Sequence, residues 1–266
     1  MEWPARHAGT TAARPARRLR RAAAGLLCLS LFAAAPDEGA QAAAALADFS
    51  ADYALFRDDN EVGVAERRLV TLPDGRRQFR SHAYATPPFS WFVSDHIHET
   101  STFVLRRKGL RPLRYRYDKT GGSEEEHFDV VFDWRADVTR YMHNGEEYEL
   151  PGDVADLLGF QIDLMLQLRR GRKYVNFTLA LKDGLQEYAF RRRGLEHWKL
   201  RDGSLDVLRI EQIPNERPER FTLWVAPSLG YLPVRVERRK NGRVTAFELR
   251  RYNGRLIERA EDEEEE

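Results

Sequence analysis

The sequence predicts a mainly β protein: one strongly curved antiparallel sheet or open barrel, laid out as a meander and packed on a single main α-helix. Three observations carry this reading. Apolar residues recur at every second position through most of the stretch Phe49 to Tyr252, the pattern of strands with one face on a core and one in water. Asn-Gly and Asp-Gly pairs punctuate those runs, supplying the positive φ angles that tight hairpins need. One segment alone breaks the period, and it reads as a helix.

Taken in order, the chain opens on a basic block, Arg14 to Arg21, followed by an apolar run from Ala22 to Ala35. That run is shorter than the roughly 20 residues a spanning helix needs. Basic block, short apolar run and small residues together predict a secretory signal peptide over 1–47, with no transmembrane anchor after its removal. Ala40-Gln41-Ala42 and Ala45-Leu46-Ala47 both satisfy the small-residue rule for cleavage. Cys28, the single cysteine, lies inside the apolar run after Leu27. The mature chain therefore has neither disulfides nor thiol chemistry. Export to the periplasm is the expected localisation.

Residues 48–256 are expected to form one domain, because no Pro/Gly/Ser-rich linker divides them, and 257–266 a disordered acidic tail. Residues 1–47 hold six arginines and three acids, so the remainder carries a net charge of −2. Its basic clusters, such as Arg106-Arg107-Lys108 and Arg191 to Arg193, are interleaved with acids. A nucleic-acid binder gathers its positive charge on one face, so no nucleic-acid partner is assigned.

The strands are read from runs such as Phe128, Val130, Phe132 and Trp134; Val175, Phe177, Leu179 and Leu181; and Leu232, Val234 and Val236. Pro73-Asp74-Gly75, Asn144-Gly145, Lys182-Asp183-Gly184, Asp202-Gly203 and Asn241-Gly242 mark the turns. About ten strands are expected on this spacing. After Pro151-Gly152, Asp153 is placed to cap a helix over 153–170 that carries Val154, Leu157, Leu158, Met165 and Leu168. Gly171 is placed to end it.

Several of these segments resemble a bacterial family known as domain of unknown function 3108: Gly109 to Asp118, Phe128 to Trp134, Asn144 to Leu150, Thr222 to Pro227 and Tyr231 to Glu237. The similarity runs from about Tyr53 to Tyr252. It implies an exported envelope protein of Gram-negative type. The family brings no catalytic residues with it.

Direct search for chemistry assigns none either. Ala226-Pro227-Ser228-Leu229-Gly230 lies between two strands, whereas a nucleophile elbow needs a strand-to-helix turn. His96 and His98, two apart on a strand, point the same way. A zinc site needs a third ligand and usually a fourth. His82, His127 and His143 are candidates for it, and spacing selects none of them. Hydrated or hydrogen-bonded strand histidines account for the same residues, so no metal or other cofactor is assigned.

The stretch Phe89-Ser90-Trp91-Phe92-Val93 follows Pro87-Pro88, which stops the preceding strand. It does not alternate, so a sheet buries only part of it. Ordinary core in a short helical turn is one reading. The other makes Phe89, Trp91, Phe92 and Val93 the rim of an apolar pocket, with Tyr115, Tyr117, Leu158 and Trp224 as its inner lining. The function expected is non-catalytic binding of an apolar or lipid-like small molecule during envelope maintenance. The alternatives are an interaction protein that meets an envelope partner without a small ligand, and an enzyme built on a His96/His98 metal site.

Overall fold

The computed structural model describes residues 46–91, 95–107, 109–122, 124–200 and 203–254. The acidic tail, and all but the last two residues of the expected signal peptide, lie outside them. Among the described residues, fifteen strands form one sheet. They are β1 (Phe49–Arg57), β2 (Asn60–Thr71), β3 (Arg77–Ala85), β4 (His96–Arg106), β5 (Gly109–Thr120), β6 (Glu126–Asp133), β7 (Val138–Tyr141) and β8 (Glu147–Glu149). After these come β9 (Val154–Asp156), the helix α1 (Gly159–Arg169), β10 (Tyr174–Leu181), β11 (Gly184–Leu200), β12 (Gly203–Gln212), β13 (Arg220–Ala226), β14 (Leu232–Lys240) and β15 (Arg243–Asn253). The mainly β class, the meander and the single helix are all as the sequence predicts. The strand count is higher, in part because β7, β8 and β9, of three or four residues each, are too short to show alternation.

The connectivity explains how so long a sheet curls. β1 to β8 run outward as a meander in one half. The chain then crosses through β9 and α1 to the far edge and returns through β10 to β15. β15 pairs antiparallel with β1, so both ends of the meander meet in the middle of the sheet. Adjacent strands twist in one sense, and fifteen of them wrap round whatever lies on the concave side.

What lies there is α1. Its Phe160, Ile162, Leu164, Met165, Leu166 and Leu168 are buried, and they cover its circumference except for a strip carrying the half-buried Asp163 and Gln167. So wide an apolar surface must be covered on most of its sides. Ile162, Met165 and Leu166 pack with Phe103, Tyr115 and Val130 of the first half. Phe160, Leu164 and Leu168 pack with Phe177, Phe190 and Leu223 of the second. The helix is thus the shared core of both halves.

The start of the helix differs from expectation. Residues Val154–Asp156 form β9, which pairs parallel with β10 through Val154 opposite Thr178. Asp153 does not cap the helix; its carboxylate accepts from Thr178 Oγ1 at 3.0 Å. Asp156 serves at the helix entry instead, accepting from the backbone N–H groups of Leu158 (3.0 Å) and Gly159 (2.6 Å). Those amides have no partner inside the helix. At the other end Gly171 takes φ +73°, and the amides of Gly171 and Arg172 close on the carbonyls of Leu168 and Gln167, as predicted for a glycine stop. The β14–β15 hairpin turns on Asn241 and Gly242, both with positive φ.

Near the start of the described chain, Leu46 is buried with 2% of its surface exposed. Its carbonyl accepts from Arg77 Nη1 at 2.7 Å, and Asp48 accepts from Arg77 Nη2 at 2.8 Å.

Gly159 gives a sharp test of the packing. Alanine normally favours a helix over glycine by about 1 kcal/mol. Here a Cβ would lie 2.8 Å from Ser101 Oγ and 2.9 Å from Asp156 Oδ2. Gly159→Ala is therefore expected to destabilise by about 1–3 kcal/mol in urea unfolding. Stabilisation of the variant would contradict the close approach of helix and sheet.

Candidate functional site

Three places in this frame gather chemistry: the interior beside the helix entry, the end of the sheet near Phe89, and the outer face of β3 and β4.

In the interior, alternation along β4 turns Ile97, Glu99, Ser101, Phe103 and Leu105 inward. Ser101 Oγ donates to Asp156 Oδ2 at 2.6 Å, joining β4 to β9 across the concave side. Tyr115 Oη donates to Glu99 Oε1 at 2.6 Å. Arg67 is buried and donates through Nη1 to Gln161 Oε1 at 2.7 Å. Its guanidinium lies over the rings of Tyr53 (4.8 Å) and Phe247 (4.7 Å). Burial pushes the Asp156 carboxyl up to about 6, against the opposing effect of its hydrogen bonds. Burial also raises the Glu99 carboxyl, and it raises the Tyr115 phenol well above its ordinary value. These groups bond one another and the helix, leaving Arg67 Nε buried without a hydrogen-bond partner, and the network ties the sheet to the helix.

The sequence-predicted lining divides accordingly. Tyr115 and Leu158 are fully buried in the first core cluster, and Tyr117 packs against that cluster and stacks on Phe128. These three are brought together as packed interior. Trp224 is not with them. It joins Trp198 and Val207 in a separate cluster, while its neighbours Leu223 and Val225 face α1. A bulge in the β13–β14 pairing falls between Trp224 and Val225, and the apolar run there does not alternate cleanly enough to reveal the face.

Phe89 heads a 3₁₀ turn, Phe89–Trp91, after Pro87-Pro88. This is the short helical turn that the sequence suggests. Phe92 and Val93, and the side chain of Trp91, lie outside the described residues. Phe89 lines a recess of ≈ 150 Å³ together with Leu55, Val62, Ala83 and Ile97, and with Arg57 and Asp95 among its polar walls. The floor comes from β1 to β4, whereas Phe89 comes from the turn. Asp95 is held by Lys119 Nζ at 3.1 Å.

On the outer face, residues at one level of six strands stand in a row. Asp52 is opposite Glu66, Glu66 opposite His82, His82 opposite His98, His98 opposite Asp118, and Asp118 opposite His127. His96 stands one step along, opposite Tyr84. His82 Nε2 and His96 Nδ1 are 3.2 Å apart. The His82 and His98 rings stack at 4.1 Å with 9° between their planes. Burial, followed by the neighbouring His98 and His96, lowers the pKa of His82. Of the three candidate partners for His96 and His98, the structure brings up His82. His127 instead bonds Asp118 at 2.8 Å, and His143 packs on Phe128 and Tyr141.

A family model for proteins of unknown function, DUF3108, matches residues 49–247. The chain belongs to the DUF3108 family. The match starts at the first residue of β1 and ends within β15, so it takes in the helix and the sheet as far as β15. No curated protein matches the chain. Among solved structures, it is similar to a beta-barrel-like protein of domain of unknown function DUF1849 from Brucella abortus. The TM-score is 0.50 at 10% identity, covering 79% of this chain and 98% of that one. That likeness concerns the fold alone.

The interior network carries a pH dependence of definite sign. Asp156 titrates near 6 in the folded chain and from an ordinary value of 3.8, so the folded state binds more protons between these values. Stability present below about pH 4 is lost as pH rises through about 6, a change of about 2–3 kcal/mol. Asp156→Asn keeps an oxygen for the Leu158 and Gly159 amides and offers an N–H to Ser101 Oγ. Urea unfolding at about pH 4.5 and about pH 7.5 is expected to show a smaller decline in this variant than in the parent chain. An equal decline in both would remove Asp156 as its source.

Proposed function

We propose that this DUF3108 protein is exported to the periplasm, where it binds rather than converts an apolar or lipid-like molecule, holding one end of it in the Phe89 recess. The observation that carries the reading is the recess itself. Its floor of Leu55, Val62, Ala83 and Ile97 is apolar, its lip is Phe89, and its charges, Arg57 and Asp95, stand in the wall. A cavity of about 150 Å³ lined by aliphatic and aromatic side chains is large enough to admit benzene. One ring or the end of an acyl chain fits that volume, with the rest of the ligand outside. In the sequence, Trp91 and Phe92 follow Phe89 as further large apolar residues. Among the described residues no helix is long and apolar enough to cross a membrane.

The basic and apolar segments before residue 36 support export. The packing of Leu46 supports the earlier of the two cleavage sites. A cut after Ala47 would remove Leu46 from the core and take away one acceptor of the buried Arg77 guanidinium. A cut after Ala42 keeps both. N-terminal sequencing of the protein recovered from periplasm is expected to begin at Ala43. A start at Asp48, or retention of Met1, would contradict this assignment.

For the ligand, native mass spectrometry of protein purified from periplasm is expected to show a retained apolar small molecule. Phe89→Ala is expected to weaken binding of an apolar fluorescent probe by about 1.5–3 kcal/mol, the contribution of one large side chain. The double variant Trp91→Ala with Phe92→Ala separates lip from core. Weaker probe binding with the melting temperature kept supports the lip. A large drop in melting temperature, with probe binding unchanged in what remains folded, returns the stretch to the core.

A further inference from the structure

We propose that His82, His96 and His98 form a binding site for one divalent transition-metal ion of the zinc or copper type on the outer face of β3 and β4. The antiparallel register sets His82 directly opposite His98, and the two-residue strand period sets His96 on the same side as His98. One nitrogen from each ring can be chosen so that all three lie within 4.8 Å of one another. In a tetrahedral zinc site with Zn–N bonds of about 2.0–2.1 Å, ligand nitrogens are about 3.3–3.4 Å apart. The His82 Nε2–His96 Nδ1 separation of 3.2 Å already matches that edge. The widest separation in the set, up to 4.8 Å, closes by up to about 1.5 Å to reach the same spacing. His98 stacks face to face on His82, so their in-plane lone pairs run parallel, and the exposed His98 ring must turn by tens of degrees to aim its nitrogen at the same ion.

Two contrasts set this cluster apart from ordinary strand histidines. His127 and His197, also on strands, each bond a carboxylate, Asp118 and Asp206, at 2.8 and 2.7 Å. In the cluster His82 and His96 instead face each other through ring nitrogens, and His98 stacks on His82. Second, the three rings stand on two adjacent strands, so their backbone positions are fixed by the β3–β4 ladder rather than by a loop.

The donor set decides the class of ion. Three neutral imidazole nitrogens without a thiolate suit zinc, copper or nickel, and hard oxygen-seeking ions such as calcium and magnesium are disfavoured. A shallow depression lined by His82 and His98 with Glu66, Arg68, Arg80 and Thr100 adjoins the cluster on the side away from His96. Glu66 stands opposite His82 on β2 and is in reach of Tyr84 Oη at 3.5 Å. Glu66 or water completes the coordination, and the carboxylate offsets the charge that Arg68 and Arg80 bring near the ion. The site is on the opposite face of the sheet from the Phe89 recess floor and does not depend on that recess holding a ligand.

The test uses the mature chain purified without a polyhistidine tag and titrated with zinc against a fluorescent chelator. Uptake of one equivalent is expected. His82→Ala, His96→Ala and His98→Ala are each expected to weaken it at least about tenfold, a loss that even the outer partners of metal ligands can produce. His127→Ala and His143→Ala are expected to leave it unchanged. Zinc should raise the melting temperature of the parent chain and fail to raise that of the three cluster variants, whose metal-free melting temperatures stay near the parent value. His98→Gln, which keeps a polar side chain of similar length, provides a second variant should His98→Ala unfold. Cobalt bound in place of zinc should give the intense visible absorption of tetrahedral nitrogen coordination, lost in the same variants. No saturable uptake, or uptake of one equivalent retained when all three histidines are replaced, would overturn the proposal.

Discussion

Asp156 is the contact on which the rest of the structure depends. Its carboxylate sits where three things meet: β9 at one edge of the sheet, β4 in the opposite half, and the first turn of α1. Burying a carboxylate is costly unless hydrogen bonds replace its water. Ser101 Oγ and the amides of Leu158 and Gly159 supply three. The same three bonds satisfy the helix entry, tie it to β4 and draw the β9 edge over the concave side. Gly159 is part of the arrangement, since any side chain there meets both Ser101 and Asp156. Arg67 with Gln161, and the Leu110 amide with Asp163, add further ties from β2 and β5 to the helix.

A sheet closed on its own helix has little interior left for function. Large side chains from both halves fill the concave side, with Tyr53, Tyr115, Tyr141, Phe103, Phe177 and Phe190 all less than 2% exposed. The binding proposed here is therefore placed at points where packing ends. One is the Phe89 end of β1 to β4, where the core opens into a recess. Another is the outer face, where the period-2 alternation that turns Ser81 and Ala83 inward turns His82 outward. The ladder that makes the core thus also fixes the spacing of the outer imidazoles.

Much of this was legible in the residues. The alternating runs, the Asn241-Gly242 and Lys182-Asp183-Gly184 turns, the helix and its stop at Gly171 all follow from local chemistry, which is the same in the sequence and in the fold. What was not legible depends on contacts distant in sequence. β9 has three residues, all buried, so it shows no period, and Asp153 and Asp156 look equally able to cap a helix. The choice between them comes from Ser101, more than fifty residues away. Trp224 could not be placed because a bulge beside it interrupts the alternation. His82 was within reach. Residues equidistant from Ser90 pair across β3 and β4, His82 with His98 and Tyr84 with His96. Pro87-Pro88 marks where that turn begins, and a hairpin centred three residues on, at Ser90, selects His82 over His127 and His143.

The claim that the helix fills the interior and leaves apolar recognition to the sheet end can be tested by one labelling measurement. A small apolar diazirine is photolysed on the native protein, and the modified residues are mapped by peptide mass spectrometry. The account predicts labels at Leu55, Ala83, Phe89 and Ile97, around the recess. Labels concentrated instead on Tyr115, Leu158 or Ile162 would mean an accessible interior beside the helix, and would contradict it.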